Sequence, residues 1–523
     1  MEPKPAPGPE LTAKSSSRWI LNLAAALLFL VAIGFYIDLR GGEVSLYLLV
    51  AAVIGGYMAL NIGANDVANN VGPAVGSKAL KLGGAILIAA IFEAAGALIA
   101  GGDVVGTIKS GIINPGAIAD KDVFIWLMTA ALLAGALWLN IATASGAPVS
   151  TTHSIVGGVL GAGIAAGGWD IANWGQMGQI AASWVISPVL GGVISAAFLY
   201  LIKRTITYQP DMLVAARKVV PMLLALMAWA FTTYLVMKGL TQIWKVGFGA
   251  ASLIGLGCAI ATYFFTGPRV AAASASLESS KQSVNGLFTM PLIFSAALLS
   301  FAHGANDVAN AVGPLAAINE AVTHGAVAAK AAIPIWVMMV GALGIALGLA
   351  LYGPKLIKTV GTGITDLDQM RAFCVAMAAS ITVIVASQLG LPVSSTHIAV
   401  GAVFGVGFLR EYIKASYGRM IDVIMEHHAG RDQSVVEAYL EKFRAASIEQ
   451  KGAMLAELKA SKQAFADSHL SKKERKGLKV IYRQELVKRS VLMRIVGAWL
   501  ITVPASAFLG ALLFFAIRGM MLP

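Results

Sequence analysis

The segment HGANDVANAVGP, from His303 to Pro314, repeats almost letter for letter the earlier segment IGANDVANNVGP, from Ile62 to Pro73. Each copy places an aspartate between two asparagines, among small residues and before a glycine-proline step, inside otherwise apolar sequence. A second pair of segments repeats at nearly the same separation, namely APVSTTH, which ends at His153, and LPVSSTH, which ends at His397. Two different motifs repeated at one separation indicate an internal duplication of the chain.

The composition is that of a protein whose main solvent is lipid. Of its 523 residues, 57% are hydrophobic and only 13% are charged. Apolar segments of about 18 residues or more can cross the roughly 30 Å hydrocarbon core of a bilayer as helices. We therefore predict an all-α polytopic membrane protein. The predicted spans are 19–37, 44–62, 83–101, 123–142, 179–202, 219–238, 246–266, 288–302, 333–351, 372–389 and 491–517.

The formal net charge of +12 at pH 7 raises the question of a nucleic acid partner, but the distribution of the basic residues argues for membrane topology instead. Much of the excess lies in one polar segment, 410–490. Basic loops of membrane proteins stay on the cytoplasmic side. We therefore expect the N-terminus and segment 410–490 to be cytoplasmic, the protein to lie in the plasma (inner) membrane, and no nucleic acid to bind.

Two segments, near 123–166 and 372–409, are too interrupted to be simple spans, because proline, glycine and hydroxyl residues break each one in its middle. Broken helices are tolerated at membrane depth where the freed backbone is buried in protein or lines a cavity. If each segment returns to the side from which it enters, the basic loops stay cytoplasmic and the two motif spans point in opposite directions. This pattern predicts an inverted-repeat transporter with two re-entrant helical hairpins.

The duplication divides the chain into six predicted regions, with the two repeats as the transport unit. The polar insertion has apolar residues at helical spacing with charges between them, which predicts amphipathic helices. The regions are an N-terminal tail with an extra transmembrane anchor (1–43), the first inverted repeat (44–202), connecting loops with two transmembrane helices (203–287), the second inverted repeat (288–409), a basic cytoplasmic helical insertion (410–490) and a C-terminal transmembrane helix (491–523).

The hydroxyl residues of the two hairpins form a candidate anion site. A hydroxyl that follows the hairpin proline can cap the second half-helix, whose first-turn N–H groups lack partners and carry partial positive charge. Two such ends that meet from opposite faces would surround a small oxyanion. The alternative is that these hydroxyls only cap two broken helices. The hydroxyl residues are Ser150, Thr151, Thr152, Ser394, Ser395 and Thr396, and the nearby carboxylates are Asp66 and Asp307.

The GANDVAN segments suit a cation. Two ionised aspartates at bilayer depth disfavour insertion by about 5 to 7 kcal/mol unless something compensates, and neither motif contains Lys or Arg. Amide oxygens and a closely approaching backbone fit a hard cation with oxygen ligands, and positions i and i+3 of a helix share one face. Alternatively, these groups bond only to neighbouring helices, or Glu93 is simply a satisfied core acid. The candidate cation ligands are Asn65, Asp66, Asn69, Glu93, Asn306, Asp307 and Asn310.

Charge balance predicts coupled transport. Carboxylates and a multiply charged oxyanion repel one another unless cations enter with the anion. We therefore expect anion and cation to travel together, with no resident cofactor or metal beyond the transported cation. Three histidines next to the motifs either sense pH or bond to the hairpin backbone, and these are His153, His303 and His397.

These motifs resemble the inorganic phosphate transporter (PiT) family, whose members are sodium- or proton-coupled phosphate symporters. The resemblance rests on the paired GANDVAN segments, on FEAAG after the first of them, and on PVSTTH and PVSSTH, across about residues 44–409. It implies phosphate on the hairpin hydroxyls, cations near the aspartates and asparagines, and a homodimer. Glu93 matches a functional glutamate of the family, whereas Ala376 stands where animal members carry a second one.

Two alternatives stay open. The family also contains sulfate permeases, but an ionised carboxylate accepts a hydrogen bond from the P–OH of phosphate and repels sulfate, which has no proton to donate. An intramembrane hydrolase that uses Ser, His and Asp is the alternative from a different class. It needs one asymmetric set of nucleophile, base and orienting acid, whereas this chain has two matched half-sites, so we expect no enzyme.

Overall fold

The computed structural model describes residues 9–39, 46–118, 120–145, 149–239, 246–325, 333–363, 367–426 and 489–521. Within these ranges the regular secondary structure is helical, apart from one bridge between Ile113 and Ala172. The helices are α1 (Pro9–Leu39), α2 (Leu46–Asn65), α3 (Ala68–Gly76), α4 (Leu82–Ala100), α5 (Gly102–Ser110), α6 (Lys121–Ser145), α7 (Thr151–Gly167), α8 (Trp174–Ile202), α9 (Met212–Gly239), α10 (Phe248–Ser274), α11 (Lys281–Leu287), α12 (Thr289–Asp307), α13 (Ala309–His324), α14 (Ile335–Gly363), α15 (Gln369–Gln388), α16 (Ser395–Glu426) and α17 (Arg489–Met521).

Eleven helical segments in the described ranges are long and apolar enough to cross a membrane. This confirms the prediction of an all-α polytopic membrane protein. The inverted orientation of the repeats and the re-entry of the hairpins stay predictions. The segments are Trp19–Leu39, Leu46–Gly76, Leu82–Ala100, Lys121–Ser145, Trp174–Thr207, Met212–Gly239, Phe248–Ser274, Thr289–His324, Ile335–Lys358, Gln369–Gln388 and Val496–Met521.

Both GANDVAN segments break their helix at the aspartate. Helix α2 ends at Asn65 and α3 begins at Ala68, so Asp66 lies in a turn between them. The N–H of Asn69 donates to the carbonyl of Asp66 at 3.0 Å, which closes a tight turn. In the second copy, α12 ends at Asp307 and α13 begins at Ala309. Each aspartate therefore lies at a break between two helical segments of a single apolar span.

Close helix crossings bring the acidic residues of different helices together. A side chain at Gly304 of α12 would overlap the carbonyl of Glu93 on α4, because a Cβ built there lies 2.1 Å from that oxygen. Gly96, one turn further along α4, is equally close to the carbonyl of Phe301, at 1.9 Å. Small residues allow such close packing of membrane helices. The crossing places Glu93 beside the second motif.

The tips of the two predicted hairpins meet. Helix α6 ends at Ser145 and α7 begins at Thr151, whereas α15 ends at Gln388 and α16 begins at Ser395. The hydroxyl of Thr152 donates to the carbonyl of Val393 at 2.9 Å. The first turn of α7 therefore contacts the backbone that leads into α16.

The basic insertion predicted at 410–490 falls mostly on residues 427–488, which lie outside the described residues. Helix α16 continues to Glu426, and the chain is described again from Arg489, where α17 begins. The predicted tail at the N-terminus also includes residues 1–8, which are likewise outside the described part.

Candidate functional site

A serine caps the second helix of each predicted hairpin. The Oγ of Ser150 accepts the backbone N–H of His153 at 3.1 Å, and the Oγ of Ser394 accepts that of His397 at 3.2 Å. Each serine therefore satisfies one first-turn N–H of its own helix. The remaining hydroxyls of the two first turns are free to make other contacts.

Asp66 joins both hairpin tips. Its carboxylate is 1% exposed. Oδ2 accepts the hydroxyl of Thr151 at 2.7 Å, and Oδ1 accepts the hydroxyl of Thr396 at 2.8 Å. Thr151 belongs to the first turn of α7 and Thr396 to the first turn of α16. One buried carboxylate therefore receives hydrogen bonds from both halves of the chain.

Asp307 lies in a more acidic neighbourhood. Its Oδ2 accepts the hydroxyl of Ser395 at 3.0 Å and lies 2.9 Å from Nε2 of His303. The other ring nitrogen of His303 is 2.7 Å from Oε2 of Glu93. The side-chain amide of Asn70 donates to Glu93 at 2.6 Å. His303 thus bridges two buried carboxylates, and Glu93 joins the site through it.

The second asparagine of each motif contacts the opposite hairpin. Asn69 donates to the hydroxyl of Thr396 at 2.9 Å, and Asn310 donates to the hydroxyl of Thr152 at 3.2 Å. Asn310 also lies 3.0 Å from the hydroxyl of Thr151. Each motif is therefore hydrogen-bonded to the hairpin of the other half, and the two halves share one site.

The first asparagine of each motif holds its own hairpin. Asn65 accepts the backbone N–H of Val149 at 3.3 Å, and Asn306 donates to the carbonyl of Leu391 at 3.2 Å. Both Val149 and Leu391 lie just before the second helix of a hairpin. These two residues therefore hold the hairpin tips in place, and their role as cation ligands stays a prediction.

The cluster has the ligand atoms that a cation requires. Asp66, His303 and Asp307 each offer one ligand atom, and these three atoms lie within 4.8 Å of one another. Buried oxygens that lack a donor are costly in a protein and favour a positive ligand. Within the described part of the chain, the following buried oxygens have no hydrogen-bond donor: Oδ1 of Asp307, Asn69, Asn70, Asn306 and Asn310.

Acidic side chains outnumber basic ones in the cluster. Three buried carboxylates, those of Asp66, Glu93 and Asp307, lie within one network of contacts. Among the described residues, His303 is the one basic side chain within ion-pair distance of any of them. Because a low-dielectric interior strengthens charge repulsion, such a cluster attracts small cations strongly.

His153 and His397 pack against aromatic rings. Their two rings meet edge to face, with centroids 4.4 Å apart. The ring of His153 lies 3.8 Å from that of Trp184, and the ring of His397 stacks on Trp499 at 3.6 Å. Of the three histidines that the sequence places beside the motifs, only His303 reaches the carboxylates.

Sequence reasoning missed several residues that support the site. Asn70 binds Glu93, Thr143 accepts the amide of Asn65, and Ser387 accepts the amide of Asn306. The second motif copy has Ala311 where the first has Asn70, and this difference in the sequence could have indicated that the two copies have different contacts. Nothing in the sequence pattern pointed to Thr143 or Ser387.

Comparison with known proteins extends across most of the chain. The profile described as "Phosphate transporter family" matches residues 62–510. A Helicobacter pylori (strain J99) protein described as "Putative phosphate permease" is 54% identical over 517 residues, which cover 97% of both chains. A Pyrococcus abyssi protein with a similar description is 38% identical over 364 residues, which cover 70% of this chain and 89% of its own.

A solved structure described as "The sodium-dependent phosphate transporter" is also similar. It has a TM-score of 0.74 and 32% sequence identity, and the match covers 91% of this chain and all of the other. The predicted resemblance is therefore confirmed, and with it the prediction of a transporter that is not an enzyme. This chain is an integral membrane protein that belongs to the phosphate transporter family.

Proposed function

We propose that this protein imports inorganic phosphate by symport with sodium ions or protons. The observation that carries the proposal is the carboxylate of Asp66, which accepts a hydroxyl from each hairpin tip, Thr151 of α7 and Thr396 of α16. This contact gathers two helix N-termini, their hydroxyls and an acidic residue at one buried point. Helix N-termini bind oxyanions, and carboxylates bind cations, so both substrates have ligands there.

The cation is proposed to bind between the two motif turns. Asp66 and Asp307 supply charge, and the donor-free amide oxygens of Asn69 and Asn310 supply neutral oxygen ligands. Hard cations with oxygen ligands suit this set. The solved relative is described as sodium-dependent, which favours sodium over protons as the coupled ion.

The hydroxyl contacts suggest how cation and anion are coupled. A hydroxyl has one hydrogen to donate. While Thr151 and Thr396 donate to Asp66, neither can donate to an anion. A cation bound to Asp66 would neutralise the carboxylate in place of the two hydrogen bonds. Both hydroxyls could then donate to phosphate. Cation binding would therefore precede tight phosphate binding.

Phosphate fits this site better than sulfate. At neutral pH phosphate carries at least one P–OH, which can donate to an ionised carboxylate, whereas sulfate has no proton. Asp66 and Asp307 line the space next to the hairpin hydroxyls, so each can accept such a proton. A site built for a donor rejects an analogue that lacks it.

Alternating access is proposed to occur around this site. Asn69 contacts the hairpin of the second half and Asn310 contacts that of the first, as expected for two halves related by a pseudo-twofold axis. Opposed repeats that rock about a central site are the arrangement of many secondary transporters. We further propose a homodimer in the plasma (inner) membrane, with the N-terminus and the 410–490 insertion in the cytoplasm. Light scattering of the purified protein tests the oligomeric state.

The deciding experiment is transport in proteoliposomes with imposed gradients. We expect labelled phosphate to accumulate with an inward sodium gradient or, for the proton-coupled version, with an inward proton gradient. Excess unlabelled phosphate should compete and excess sulfate should not. Uptake that is indifferent to both gradients would contradict symport, and equal competition by sulfate would contradict the assigned anion.

A further inference from the structure

An apolar groove lies between α8, α16 and α17, away from the site described above. Its volume is about 570 Å³, and its walls are almost entirely carbon. Lining residues include Pro188 and Val193 of α8, Gly405 and Phe408 of α16, and Trp499 of α17. This apolar lining suits a hydrocarbon chain, and among the lining residues Tyr412 and Trp499 carry the polar side-chain atoms.

The groove arises because α8 and α16 touch through small residues. A Cβ built on Gly405 lies 2.0 Å from the carbonyl of Gly192, so neither helix has bulk at the crossing. The hydroxyl of Ser195 donates to the carbonyl of Ala402 at 2.7 Å and locks the pair. On the rim, Val189 is 62% exposed and Tyr412 is 65% exposed. In a membrane protein these faces contact lipid.

Both helices run in the same direction away from this crossing. Gly191 lies beside Ile398, and four residues later Ser195 bonds to Ala402. Continued at the same register, the two helices bring Lys203 and Arg410 to one end of the groove. The parallel register of α8 and α16 therefore places these two cations near each other.

Further basic residues join them at that end. Lys281 and Arg371 are also near Lys203, and Arg371 pairs with Asp368 at 2.6 Å. All four basic residues belong to loops or helix ends that the sequence predicts to be cytoplasmic. The basic end, defined as Lys203, Lys281, Arg371 and Arg410, therefore lies where an anionic headgroup would be.

We propose that this groove binds an anionic phospholipid, with an acyl chain along α8 and α16 and its headgroup phosphate on the basic end. The apolar walls match the acyl chain, and the ammonium and guanidinium groups of the basic end match a phosphate headgroup. A second copy of the protein fits less well, because it would bring another basic end toward the first. Trp499 connects the groove to the site, since it stacks on His397, the neighbour of Thr396.

The test is native mass spectrometry of the full chain in mild detergent, titrated with phosphatidylglycerol and, separately, with phosphatidylcholine. We expect tighter binding of phosphatidylglycerol. The double variant Lys203→Gln, Arg410→Gln should lower that affinity about 25-fold, at about fivefold for each basic residue lost. The matched control Lys81→Gln, Lys121→Gln, at two exposed lysines, should not change it.

A second variant tests the apolar part. Ala196→Phe fills the groove and should weaken phosphatidylglycerol binding, whereas Leu253→Phe, on a lipid-exposed face of α10, should not. Size-exclusion profiles and thermal unfolding establish that each variant is folded. Equal affinity for both lipids, or unchanged affinity in both groove variants, would overturn the proposal. A shift from dimer to monomer in Ala196→Phe with lipid binding intact would assign the groove to a second copy instead.

Discussion

The two halves of the molecule hold the same aspartate in different surroundings. Asp66 receives two hydroxyls, from Thr151 and Thr396, and none of its described hydrogen bonds comes from a basic side chain. Asp307 receives one hydroxyl, from Ser395, and lies against His303. The two GANDVAN segments are identical, but the residue before them differs: it is Ile62 in the first copy and His303 in the second.

We infer from this difference that the two motifs have different roles. The backbone frame is retained in both halves, since Asn65 and Asn306 hold their hairpins and Ser150 and Ser394 cap them. The polar partners diverge. Asp66 accepts hydrogen bonds from two threonine hydroxyls. Asp307 contacts His303, which in turn contacts Glu93. We infer that Asp66 couples the two substrates, because a cation bound there would free the hydroxyls for the anion, whereas the Asp307 half responds mainly to the cation.

The largest effect should come from Asp66→Asn. The change removes the charge that both tips contact and leaves two buried hydroxyl donors facing an amide, which costs about 3 kcal/mol or more. Initial phosphate uptake in proteoliposomes should fall about 100-fold or further. Asp170→Asn, at an exposed residue, is the control. Full uptake by correctly inserted Asp66→Asn protein would contradict the role of this carboxylate.

The second prediction breaks only the Asp307 half. Glu93→Gln removes one negative charge from the chain that runs through His303, which weakens attraction for a cation by about 1 to 2 kcal/mol. The apparent affinity for the driving cation should fall about tenfold, with a smaller change in phosphate KM at saturating cation. Uptake measured against cation concentration gives both values.

A matched variant for that experiment is Glu278→Gln, at an exposed acid in a predicted cytoplasmic loop. If Glu93→Gln raised the phosphate KM and left the cation dependence unchanged, the division between the halves would be wrong. It would also be wrong if both parameters changed equally.

The third prediction concerns the hydroxyls on Asp66. Thr151→Val and Thr396→Val each replace a hydroxyl donor with a methyl group of similar size. We expect each variant to raise the phosphate KM about five- to tenfold. Thr205→Val, whose hydroxyl bonds its own helix at the carbonyl of Leu201, is the control. A KM that stays unchanged in both site variants would remove these hydroxyls from phosphate binding.

Much of this arrangement could be predicted from the sequence, because its determinants are local. Apolar length predicted the spans, and the serine after each hairpin proline predicted the caps. The turn at Asp66 was not predicted, because neither Asp66 nor Val67 is a helix-breaking glycine or proline. The bridge between Glu93 and Asp307 was missed because it joins helices that are far apart in the sequence. His303 could be read as a neighbour of the motif, but its contact with α4 requires the close crossing at Gly304.

The smallest effect should come from the caps, where the halves are alike. Ser150→Ala and Ser394→Ala each remove one cap bond, which typically costs about 1 kcal/mol of stability. We expect similar, small decreases in Tm for both variants and little change in the cation dependence of uptake. A much larger change in transport for Ser150→Ala alone would mean that the asymmetry extends from the aspartates into the helix ends. Equal effects would confine it to the residues around Asp66 and Asp307, where the unlike neighbours lie.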